Sequence, residues 1–127
     1  MIQTFFIPGV LPGLNEVIDA RAKRLKSGRG NLYTLMKRKE CESIEWLIKQ
    51  DKLEPMGRVK VSFTWYEASK RRDPDNVRVG AKFILDALVK AKVLATDGWA
   101  GIAGLTDTFI YRPETPGVEV TLESEAP

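Results

Sequence analysis

Two carboxylates one residue apart, Asp73 and Asp75, follow directly on the cations Lys70, Arg71 and Arg72. Residues i and i+2 of extended backbone point to the same side, so this pair can converge on one point. Pro74 between them fixes its own φ and drives Asp73 towards extended geometry. Two anions held so close repel unless a proton or a cation lies between them. A hard divalent ion such as Mg²⁺, with oxygen ligands and retained waters, meets that need. The neighbouring cations suit a metal site that handles phosphate. The competing reading is a polar turn, with Asp75 or Asn76 capping the helix that follows.

A third carboxylate, Asp97, stands in Thr96-Asp97-Gly98-Trp99, where Asp-Gly is also a common turn pair. Lys82, Asp86 and Lys90 are spaced four apart along one helix side, the pattern of a surface ion-pair row. Lys82 lies near enough to the helix start to reach back towards Asp73 and Asp75. The chain of 127 residues has no histidine and one cysteine, Cys41. Ser-His-Asp and Cys-His nucleophiles, His- or thiolate-built zinc sites and an intramolecular disulfide are therefore excluded. Acid and base work falls to carboxylates, lysine or water on a metal, and any metal site is built from oxygen.

The net charge is only +3, yet residues 20–39 carry eight cations and no acid. Arg21, Lys23, Arg24, Lys26 and Arg29 lead that segment, and Lys37, Arg38 and Lys39 close it. The acids gather in the middle and in the tail, at Glu114, Glu119, Glu123 and Glu125. Such asymmetry suits a polyanionic partner, the alternative being a solvated basic loop. Asn15, in Pro12-Gly13-Leu14-Asn15, either bonds its own loop or faces a site.

The elements that must position these groups fit one domain over residues 1–127. No apolar run approaches a membrane span, and the start lacks signal-peptide character, so a cytoplasmic location is expected. Residues 3–7 read as a strand, 17–25 as a short helix and 26–31 as a mobile basic loop that orders on phosphate. Residues 32–53 form a long helix in which Cys41 and Trp46 pack. Alternation of Val59, Val61, Phe63 and Trp65 with polar residues marks a half-buried strand over 58–66. A second helix runs over 76–92; Gly80 within it calls for a close backbone approach or a later start near Ala81. Residues 105–112 and 118–123 close the chain as strands. The expected class is α/β (α+β): a small mixed sheet packed against two main helices.

Arg72-Asp73-Pro74-Asp75-Asn76, then Lys82, Asp86-Ala87-Leu88 and Asp97, resemble the RusA family of Holliday-junction resolvases. That family carries Arg-Asp-x-Asp-Asn, a lysine four residues before Asp-Ala-Leu, and an Asp eleven residues after that Asp. The likeness extends to the opening strand, the Pro-Gly-x-Asn loop, the first long helix and the strand before the acidic pair. It implies a homodimer that binds four-way DNA junctions and introduces paired symmetric nicks with Mg²⁺, in recombination and repair. Mn²⁺ is a possible substitute, and no small-molecule cofactor or membrane is implied. Asp73, Asp75 and Asp97 would be metal-binding and catalytic, and Lys82 required for activity. Lys70, Arg71, Arg72, the 21–29 segment and Asn15 are candidates for DNA contact. About three extra residues, Gly80 among them, precede Lys82, and Thr96 and Trp99 stand where the family has Asp and Gln. A nuclease for flaps or other branches and a non-catalytic DNA-binding module are the alternatives.

Overall fold

The half-buried strand is the centre of the molecule. In β2 (Val59–Glu67) Val59, Val61, Phe63 and Trp65 are buried, while Lys60 and Ser62 face solvent. The computed structural model describes residues 1–125. They form one small α+β domain with a mixed four-stranded sheet. β1 (Ile2–Pro8), β3 (Ile102–Tyr111) and β4 (Gly117–Ser124) join β2 in the order β1-β4-β2-β3. β4 runs antiparallel to both β1 and β2, whereas β3 is parallel to β2. A parallel neighbour needs a crossover. It is carried by α3 (Pro74–Val77), a 3₁₀ turn (Arg78–Gly80) and α4 (Ala81–Lys90).

Helices α1 (Leu14–Ala22) and α2 (Leu32–Gln50) precede β2. Cys41, Ile44 and Ile48 of α2 and Phe83, Ile84 and Leu88 of α4 share one core with Phe5, Ile7, Val120 and Leu122 of the sheet. Each such large side chain contributes roughly 1.5–3 kcal/mol by leaving water. The other sheet face carries a row of hydroxyls across all four strands, Thr4, Thr121, Ser62 and Thr106. Within it Thr4 and Thr121 lie 3.1 Å apart, and Thr106 donates to Ser62 at 2.9 Å.

Several local expectations shift. The expected helix over 76–92 is broken into α3, the 3₁₀ turn and α4, so the later start near Ala81 is the right reading of Gly80. A Cβ on Gly80 would meet side-chain atoms of Leu11 and Trp65 at 3.2 Å, so side chains rather than backbone make the close approach. The two closing strands are not neighbours, because β2 lies between them. Trp46 does not pack: it is 59% exposed, on the outer side of α2. The basic loop is hydrogen-bonded rather than formless. Leu32 N donates to Lys23 O at 2.8 Å, Arg24 and Asn31 form a bridge, and Gly28 and Gly30 turn the chain at positive φ. Among the described residues no helix is long and apolar enough to cross a membrane.

Candidate metal and phosphate site

The acidic segment is anchored by the residues on either side of its carboxylates. Arg72, at the end of the loop leaving β2, turns inward. Its Nε and Nη2 donate to Glu67 Oε1 at 3.2 and 2.9 Å, and its Nη1 donates to Leu11 O at 2.9 Å. Glu16 of α1 lies 3.6 Å from the same guanidinium. Asn76 Oδ1 accepts the backbone amide of Leu14. Gly13 sits between these two anchors: a Cβ there would strike Asn76 Oδ1 and come within 2.7 Å of Arg72. The loop before α1 and the acidic segment are thus one unit.

This corrects two expectations. Arg72 is only 19% exposed, and three of its five N–H donors are taken by Glu67 and Leu11, so it positions the segment. Neither Asp75 nor Asn76 caps the helix that follows. α3 starts at Pro74, whose fixed φ suits a first helical position, and Asp73 before it makes no side-chain cap bond. Asp73 and Asp75 are exposed, and neither has an ion-pair partner among the described residues.

Lys82 does not reach back towards them. Its Nζ lies 3.3 Å from Asp86 Oδ1 and 3.5 Å from Asp97 Oδ2, joining α4 to the turn ahead of β3. Burial pulls the Lys82 pKa down, but Asp86 and Asp97 outweigh it and raise the pKa, so the ammonium stays charged. The other oxygen of Asp86 is buried and forms an ion pair with Lys37 Nζ of α2 at 3.1 Å. Burial raises the Asp86 carboxyl, yet the two lysines prevail and hold it below its ordinary value. A charge chain therefore runs Lys37–Asp86–Lys82–Asp97 across three elements.

The Asp97 turn is well braced. Gly98 N donates to Thr96 Oγ1 at 3.0 Å, and Gly101 N and Ile102 N both donate to Gly98 O at 3.0 Å. Arg58 Nε donates to Trp99 O at 3.0 Å while its Nη1 pairs with Glu125 at 2.7 Å. Trp99 itself is 91% exposed. This turn feeds the first residue of β3, whereas Asp73 and Pro74 line a cleft with Phe109 and Tyr111 at its last residues. Lys82, Asp86 and Asp97 are brought together, but Asp73 and Asp75 do not join them. Among the described residues no group of three or more acidic or thiol side chains could hold a metal ion within one chain.

The candidate DNA contacts are distributed. Lys23, Arg24, Lys26 and Arg29 are exposed on the hydrogen-bonded loop, with Lys23 paired to Asp19 at 2.9 Å. Arg21 stacks over Tyr33 at 4.4 Å, and Lys70 lies 5.1 Å from the Tyr111 ring. Arg71 is exposed beside it, and Asn15 is exposed in the first turn of α1. Sequence reasoning missed Asp107, which accepts Trp65 Nε1 at 2.8 Å and pairs with Arg78 Nε at 2.9 Å. An acid inside an otherwise apolar and threonine-rich strand was the available signal. Nothing local connects Lys37 with Asp86, since they belong to different helices.

No family model matches the chain, and no curated protein matches it.

Proposed function

We propose that the chain is a Mg²⁺-dependent endodeoxyribonuclease that acts as a homodimer on branched DNA, with four-way junctions as its preferred substrate. The observation that carries this reading is that the carboxylates form two incomplete half-sites flanking β3. Asp73, exposed and without an ion-pair partner, lines a cleft with the last residues of β3, whereas Asp97, paired with Lys82 of α4, lies in the turn that leads into its first. β3 is one of the two edge strands of the sheet. A two-fold axis across that edge, with the strands antiparallel, would set Asp97 and Lys82 of one protomer beside the partner's Asp73 and the partner's Asp75. Three carboxylates with no histidine or thiolate fit a hard ion rather than zinc.

Bound there, Mg²⁺ supplies Lewis acidity towards a phosphoryl oxygen and activates water. Asp73, Asp75 and Asp97 would hold it, with their approach fixed by Arg72, Asn76 and the braced turn. Lys82, kept charged by its two carboxylates, would neutralise phosphate charge as it develops. Arg71, Lys70 and the 23–29 loop would hold flanking phosphates and make binding salt-dependent. None of the ion pairs among the described residues joins that loop to the acids of the tail, which leaves its charge available.

The test is a gel of labelled four-way, flap and linear DNA with Mg²⁺, Mn²⁺ or a chelator. Paired nicks in the four-way junction, lost in chelator, are expected. Cleavage of flaps alone moves the enzyme to another substrate class. The second reading is a DNA-binding module without catalysis, and binding with no strand breakage under either metal would establish it.

A further inference from the structure

We propose that Trp99 is a knob that seats in a dimer of this chain, entering a cleft of the partner subunit between α3 and the end of β3. The inference rests on the homodimer proposed above but needs neither metal nor cleavage. At 91% exposure Trp99 leaves almost its whole indole in water, yet its backbone is fixed by Arg58 and by the bonds to Gly98 O. An indole presented from a fixed backbone is the kind of side chain that dominates protein interfaces, burying roughly 150–250 Å².

The complementary feature lies at the opposite end of the same strand. Pro74, Val77, Phe109 and Tyr111 line a cleft of about 240 Å³, with Lys70 over the Tyr111 ring at its rim. Within one chain Trp99 borders Leu105, whereas the cleft begins at Phe109, four residues farther along β3, about 13 Å at the rise of an extended strand. An antiparallel two-fold along the β3 edge puts the beginning of one β3 beside the end of the other, so each indole meets a cleft and the contact occurs twice.

The edge itself invites that pairing. β3 contains no proline or lysine, and Asp107, its one charge, is already tied to Arg78 and Trp65. Leu105, Phe109 and Tyr111 are exposed along it. Natural edge strands that avoid association carry the opposite features. A nucleobase is the weaker candidate for Trp99, because the cations that bond its turn, Arg58 and Lys82, are both paired with carboxylates.

The experiment is sedimentation equilibrium of the full chain without DNA or metal, for the wild type, Trp99→Ala, Phe109→Ala and the double variant. The wild type is expected to be dimeric at micromolar concentration. Each single variant should raise the dimer dissociation constant at least about tenfold with an unchanged far-UV spectrum, and the double variant should fall short of the product of the two effects. A monomeric wild type at tens of micromolar overturns the proposal, as does a Trp99→Ala variant that dimerises like the wild type. If that variant instead loses junction affinity, Trp99 faces bases. A dimer that depends on Trp99 but nicks no DNA sustains this inference while sinking the nuclease.

Discussion

Asn76 accepts the backbone amide of Leu14 across 62 positions of sequence. Together with Arg72 on the Leu11 carbonyl, it makes the loop before α1 a brace for the segment that carries Asp73 and Asp75. The two polar residues that flank the carboxylates thus serve geometry, and the carboxylates are left free for chemistry.

Gly13 has no room for a methyl group between these anchors. Gly13→Ala should destabilise the protein by about 1–3 kcal/mol, the usual cost of overpacking. Gly57→Ala, where a Cβ meets nothing within 4 Å, should stay within about 0.5 kcal/mol. Urea unfolding midpoints of the two variants make the comparison.

Asp86 should govern the acid limb of stability. Its carboxyl is held below the ordinary value by Lys37 and Lys82, so its contribution is present above the unfolded-state pKa near 3.8 and fades as pH falls through the folded one. Asp86→Asn should therefore be less stable than the wild type at pH 6, with the gap closing towards pH 2. The Lys82 ammonium, titrated by NMR, should move down in that variant because one of the two carboxylates raising it is gone. An unchanged Lys82 titration would break the charge chain.

Cys41 should be chemically silent in the folded state. It is fully buried, donates to Phe83 O at 3.6 Å, and burial pushes its thiol pKa up. Reaction with a disulfide reagent at pH 8 should be slower than in denaturant by a factor that tracks global unfolding.

The shared-site arrangement makes a distinctive prediction about mixtures. Asp75→Asn and Asp97→Asn should each abolish junction cleavage while keeping junction binding. Mixed and re-equilibrated, they should recover roughly a quarter of the wild-type sites, since half the dimers are hybrid and one site in each is intact. Activity confined within single chains would give no recovery.

Much of the scaffold could be read from periodicity. The period-two pattern around Phe63 and the apolar stripe of Ile84 and Leu88 lie on local geometry, which sequence records directly. Trp46 was misplaced because a wide apolar stripe does not say which flank turns to solvent. That β3 and β4 straddle β2 depends on hydrogen bonds between distant strands, which no local pattern encodes. Arg72 illustrates the same limit: a cation in a basic run looks free until its partner, Glu67, folds back beneath it.

The 3₁₀ turn between α3 and α4 also sets a direction. Along an unbroken α-helix Asp75 and Lys82, seven residues apart, would share one azimuth. Three residues wound at the tighter pitch add about 60° of rotation. Lys82 accordingly turns from about 20° on one side of the Asp75 azimuth to about 40° on the other, and its ammonium meets Asp97. The residues around Gly80 act as a phase shifter, and trimming one of them would re-aim the lysine without touching any carboxylate.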